Sequence, residues 1–128
     1  MKKRIIKSIT SKLKQIKSDA TIYLDSVLQS DKDFYFVLVV ESSGTENVGI
    51  NVQNKTFLVD IALVNSKKKK EIDKLIEDLI EQCGSFFNVL DIDGNELFPQ
   101  DYQDFETDGV QHINFTVAFP QYIEWSEE

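Results

Sequence analysis

Asp33–Val40 (DFYFVLVV) is the stretch that most constrains the fold. It is far too short to cross a membrane as a helix, yet it is rich in aromatic and β-branched side chains. Such a run is expected as a buried central strand, which needs other elements to cover it. Covering segments are present on both sides in sequence. Residues 3–17 place Ile5, Ile6, Ile9, Leu13 and Ile16 near a 3.6-residue period with Lys, Ser and Gln between them, which predicts a basic amphipathic helix. Ile72, Leu75, Ile76, Leu79, Ile80 and Cys83 repeat in the same way before Gly84, and predict a second helix ending at that glycine. Asn65-Ser66 offers its N-cap. Lys67-Lys68-Lys69-Lys70 would oppose the helix dipole by about 0.3–1 kcal/mol per exposed charge, so these lysines are expected to extend a loop rather than begin the helix.

The remaining segments read as strands and turns. Thr21–Leu24 and Val27-Leu28 suggest a short strand, and Ser42–Asn47 is turn material. Ile50–Val64 largely alternates and predicts a long strand, or two with a bulge. Phe86–Ile92, Asp93-Gly94 and Glu96–Phe98 predict a hairpin, because Asp-Gly tolerates the positive φ of a tight primed turn. Residues 99–108 (PQDYQDFETD) are expected as an acidic loop. Val110, Ile113, Phe115, Val117 and Phe119 mark a half-buried strand that Pro120 should end. The order α-β-β-β-α-β-β-β gives an α+β fold, two helices packed on a mostly antiparallel sheet. With 128 residues and no linker or repeat, the chain is expected to form one domain over 1–128, with 121–128 as a flexible tail.

Chemistry is sparse. One cysteine, Cys83, excludes an internal disulfide, and a reducing compartment is expected. The basic start is interrupted by Lys7, Lys12 and Lys14 and has no signal-peptide apolar core, and no run of 18 apolar residues occurs. Neither secretion by a signal peptide nor a membrane span is expected. Asp91–Glu96 resembles a calcium loop only superficially: with Asp91 first, the required glycine falls at Glu96 and the bidentate glutamate at Tyr102. His112 stands alone on a strand without a partner motif, and Cys83 closes an apolar stripe as a small core residue. No phosphate-binding glycine loop, zinc-protease motif or nucleophile elbow is present. No enzyme activity, cofactor or metal is expected. The basic first helix could meet phosphates, but the pI of about 4.6 and the lack of interleaved aromatics argue against specific nucleic-acid binding.

Charge is the stronger signal. Residues 1–20 hold seven bases against Asp19, residues 21–83 seven bases against eleven acids, and residues 84–128 ten acids with no Lys or Arg. Opposite signs at different ends of a small chain favour head-to-tail contact between identical copies, although a merely solvated surface is the bland alternative.

Three stretches, KKRIIKSITSKLKQI leading into DATIYLDSVLQ, then DFYFVLVVES, and above all ETDGVQHINFTVAF, resemble the tail terminator (tail completion) proteins of phages and prophages of Gram-positive bacteria. Asp108–Phe115 carries most of the likeness, and Gly44–Gly49 departs from the pattern. The resemblance implies a structural subunit of the virion tail, assembled in the host cytoplasm. It implies a ring, typically of six, that caps the tail tube, stops polymerisation and docks the head or its connector. Implied partners are other copies of the chain, the tube protein, the head–tail connector, and DNA passing without specific binding. The candidate subunit interface sets Lys3, Arg4 and Lys7, or Lys67, Lys68, Lys69 and Lys70, against Asp91, Asp93, Asp101 and Asp104 of a neighbour. Rival readings are another neck or baseplate adaptor, or a small acidic regulator or decoy that binds a basic partner.

Overall fold

A computed structural model describes residues 2–26 and 30–122. Helix α1 (Lys2–Ile16) is followed by strands β1 (Ile22–Leu24), β2 (Phe34–Gly49) and β3 (Val52–Asn65), helix α2 (Lys70–Phe86), and strands β4 (Leu90–Ile92), β5 (Asn95–Leu97), β6 (Gln100–Thr107) and β7 (Val110–Tyr122). One five-stranded sheet has the order β1-β2-β3-β7-β6, antiparallel except for the parallel β1–β2 pair, and β4 and β5 form a separate small hairpin. The α+β class and the succession of elements are as the sequence predicts, with one more strand, β6, in place of the acidic loop. The strand suggested at Val27-Leu28 and the tail beyond residue 122 lie outside the described residues.

Period-two alternation decides which face of the sheet is covered. Phe34, Phe36, Leu38 and Val40 on β2, Phe57, Val59, Ile61 and Leu63 on β3, and Ile113, Phe115 and Val117 on β7 all point to one side and are buried. Both helices close that side. Helix α1 contributes Ile5, Ile9 and Leu13, all fully buried, while α2 contributes Ile76, Leu79 and Cys83. Leu90 and Ile92 of the small hairpin join the same core. Strand β2 is therefore buried on one face rather than two. Its other set, Tyr35, Val37 and Val39, is half-buried on the helix-free face, where the Tyr35 ring meets Tyr23 edge to face at 5.3 Å.

Several boundaries differ from the sequence reading for local reasons. Ser42–Asn47 is not a turn but the outer half of β2, irregular between Ser42 and Gly44 and between Asn47 and Gly49; the chain reverses at Ile50-Asn51, with Asn51 at φ 61°. Ser, Gly and Asn tolerate this because the irregular pairing needs small residues and local hydrogen bonds, such as Ser43 Oγ donating to the Thr56 carbonyl. Helix α2 runs past Gly84 to Phe86, and the Phe87 N–H closes it on the Cys83 carbonyl at 2.9 Å. Phe87 is 1% exposed, and its burial outweighs the cost of about 0.5–1 kcal/mol for a helical glycine. Strand β7 continues through Pro120 to Tyr122; beyond Thr116 it pairs with β3 alone, and such edge positions tolerate proline.

The Asp93-Gly94 turn forms as predicted. Both residues take positive φ, 53° and 83°, and the Asp91 carboxylate accepts the Gly94 N–H at 2.9 Å. This uses Asp91 as a turn residue, not as an ion ligand.

Two substitutions test this packing. Phe36→Ala should destabilise the fold by about 3–5 kcal/mol and Leu13→Ala by about 2–5 kcal/mol, read as a lower urea midpoint at unchanged slope. A loss below about 1 kcal/mol at either position would contradict the placement of α1 on β2.

Candidate functional site

Surface charge is the material from which a site can be built here, and the fold divides it between several places. On α1, Lys3, Arg4 and Lys7 are exposed on a helix with no acid in its first turn. Arg4 reaches across to the small hairpin, its guanidinium 3.1 Å from Asp93 of the same chain, and Ser8 Oγ donates to the Asp91 carbonyl at 3.0 Å. The basic helix and the start of the acidic segment are thus neighbours within one molecule.

The lysine run forms a second place. Helix α2 begins at Lys70, so Lys67–Lys69 form the turn before it, with Lys68 at φ 53°. Asn65 braces that turn from four residues upstream: its Oδ1 accepts the Lys69 N–H at 3.0 Å, and its Nδ2 donates to the Lys69 carbonyl and to Asp73. Asn65 therefore does the work of a cap, although Lys69 occupies the cap position. Lys69 Nζ and Lys67 Nζ lie 2.7 and 2.9 Å from opposite oxygens of Asp33. Their hydrogen bonds pull the Asp33 carboxyl down from 3.8 to about 2, and Asp33 in turn raises Lys69.

The acids do not gather as one patch. Asp91 and Asp93 sit at the hairpin turn, Asp101 lies at φ 55° where the β6–β7 pairing slips between Gln100 and Gln103, and Asp104 lies further along β6. Asp104 belongs instead to a feature absent from the sequence reading, an open groove of about 600 Å³ between α2 and the β6–β7 hairpin. Asp73, Glu77 and Glu81 of α2 form one wall, Asp104 and Glu106 of β6 the other. The i, i+4, i+8 spacing of the α2 acids was a signal available in the sequence, but only folding brings β6 opposite to it. The groove floor is apolar, made by Leu63, Ile76 and Ile80.

His112 lies elsewhere, on the helix-free face. Its Nδ1 is 3.0 Å from Asp60 Oδ2 and its ring stacks on Phe105 at 5.3 Å, nearly parallel at 6°. Pairing of β3 and β7 brings Asp60 near His112, a long-range juxtaposition with no trace in local sequence. Cys83 is fully buried, and burial pushes its thiol up to about 12, which keeps it protonated and unreactive. Beside it in the core, Tyr102 stacks on Phe115, and burial raises its hydroxyl, which finds no hydrogen-bond partner among the described residues. Among the described residues no three His, Cys, Asp or Glu side chains are placed to hold a metal, and no helix is long and apolar enough to cross a membrane.

A family model with the description "Phage tail terminator protein" matches residues 4–128. No curated protein matches the sequence. One solved structure aligns over 99% of this chain and 99% of its own at 11% identity and a TM-score of 0.49, a likeness too distant to carry an argument.

The Asp33 clamp predicts an acid response with a definite sign. The unfolded carboxyl titrates near 3.8 and the folded one near 2, so its stabilisation is complete above that range and is lost as pH falls through it. Asp33→Asn should flatten the stability curve between pH 4 and pH 2 and leave the slope at pH 6–8 unchanged; an unaltered acid limb would contradict the clamp. For Cys83, a thiol reagent at pH 8 should label the native chain only at the rate of unfolding and the urea-unfolded chain at once.

Proposed function

Because the chain belongs to the phage tail terminator family, we propose that its copies close into a ring of six on the end of the completed tail tube. The ring stops tube polymerisation and presents a surface on which the head or its connector docks. The observation that carries this reading is the family match over residues 4–128, nearly the whole chain. The chain is a phage tail structural protein, and the work assigned to it is mechanical rather than catalytic.

The distribution of charge supports the ring. A heterologous interface joins two different patches of one surface and closes into a ring when its rotation permits. Here a helix without acids and a lysine turn supply one patch, while the stretch after Lys74 has no Lys or Arg. Arg4, Lys67 and Lys69 are engaged within the chain, whereas Lys3, Lys7, Lys68 and Lys70 are exposed and form no ion pair among the described residues. These four are the cations offered to the acidic 91–108 region of a neighbour. Exposed pairs contribute about 0.2–1 kcal/mol each, so one pair does not hold two subunits, but several per contact repeated around a closed ring do. Carboxylates facing the channel repel DNA phosphates and keep the passing duplex off the wall. In this reading the partners are other copies of the chain, the tube protein, the connector and DNA in transit, and the site of action is the virion tail.

Electron microscopy of particles made without this protein tests the role. Tails of uncontrolled length without heads are the expected result, and normal joined virions would overturn the proposal. Lys68→Glu with Lys70→Glu should weaken ring assembly most at low salt, because screening already removes that attraction at high salt.

A further inference from the structure

Five carboxylates face one another across the groove between α2 and β6, and its lining contains no Lys, Arg or His. Asp73, Glu77 and Glu81 follow each other at four-residue steps on one helix face, a spacing at which like charges destabilise a helix. Asp104 and Glu106 lie two apart on the same side of β6 and add to the repulsion from the opposite wall. Among the described residues neither wall meets a cation of this chain; Asn65 donates a hydrogen bond to Asp73 and Gln111 one to Glu106. Beneath the carboxylates lie the buried Leu63 and Ile76 and the half-buried Ile80, which is the most open part of this apolar floor. An acidic rim over an apolar floor fits a side chain with a long methylene stem and a cationic head, which is lysine.

The same molecule carries the complement on another element. Helix α1 packs on β2, on the small β4–β5 hairpin and against α2, while the groove opens between α2 and β6. Lys3, Lys7 and Lys14 are exposed on α1 and fall within about 40° of one another around its axis. Lys3 and Lys7 are four residues apart, about 6 Å along the helix, and Asp73, Glu77 and Glu81 repeat at that same interval on α2. Two helices laid side by side thus bring two successive lysines level with two successive carboxylates. The lysine stems then lie over Ile76 and Ile80. Lys3 and Lys7 form no ion pair with the groove carboxylates of their own chain among the described residues, whereas a row of copies pairs every groove but the last, and a ring pairs all.

We infer that the α2–β6 groove is the socket for the basic face of α1 from the next copy of this chain. The inference rests on the ring reading above and specifies its contact. It also adds Asp73, Glu77, Glu81 and Glu106 to the interface and makes Lys3 and Lys7 the groups they receive.

Carbodiimide, which joins a lysine to a carboxylate in direct contact, tests the contact in a mixture of isotopically labelled and unlabelled full-length chains assembled on tail tubes. Mixed-isotope cross-links from Lys3 or Lys7 to Asp73, Glu77 or Glu81 are expected. The double variant Glu77→Lys with Glu81→Lys should weaken assembly at least tenfold, as should Lys3→Glu with Lys7→Glu. The chain carrying all four changes should regain it. Circular dichroism should show native helix content in each variant, since all four side chains are exposed. Assembly unaffected by the reversals, or groove cross-links that run to the tube or connector protein instead, would overturn the socket while leaving the ring intact. Failure of the unaltered chain to assemble on tubes under any condition would remove the ring and the socket together.

Discussion

Ile5, Ile9 and Leu13 are wholly withdrawn from water, and Ile6 and Ile16 pack beside them against the same core. The three lie at spacings of four on a lysine-rich helix, so their burial is the main force holding a highly charged element against the sheet. Each is worth about 1.5–3 kcal/mol of transfer free energy, and the three together exceed anything the surface ion pairs of this molecule can supply. With α1 seated, its polar side is fixed in direction, Arg4 is delivered to Asp93 and Ser8 to the Asp91 carbonyl. Electrostatic layout is thus a product of apolar packing. The charges do not fold the chain; the core decides where they point.

One-sided burial is the second consequence. The fully buried apolar sets of β2, β3 and β7 are used against the helices, and the reverse face keeps a mixed surface in which the Asp60–His112 pair sits among half-buried side chains such as Tyr35, Val37 and Val39. An imidazole held by a carboxylate and stacked on Phe105 is well suited to pinning β6 to β7 and β3. That arrangement explains why a lone histidine occurs in a chain that gives it no catalytic partner motif.

How far the sequence discloses all this depends on whether a segment's pattern is local. Helix α2 is legible because six apolar residues keep its period, and the Asp93-Gly94 turn because its backbone demand is met by those two residues alone. Strand β6 is not legible: in QDYQDFET only Tyr102 and Phe105 are apolar, and they are three apart, since the slip between Gln100 and Gln103 breaks the alternation that would reveal a strand. Ser42–Asn47 misleads in the opposite direction, because its small polar residues meet the needs of an irregular strand as well as those of a turn. The acidic groove was invisible for a different reason. Half of it is a plain helical repeat, but the other half arrives from a strand some thirty residues later, and only the fold makes them a pair. Of the interface residues expected from sequence, Asp104 alone lines that groove, while Arg4, Asp93, Lys67 and Lys69 are engaged inside the molecule.

Strand β3 is laced on both sides along almost its whole length, to β2 by Phe34–Gly49 and to β7 from Gln111 to Tyr122. A slip by one residue would break two ladders at once and turn Phe57, Val59 and Ile61 away from the helices. The centre of the molecule therefore behaves as a stiff strut, not a spring. Bending this strut would cost ladder hydrogen bonds on both of its sides, whereas the charged outer side chains move without disturbing either ladder.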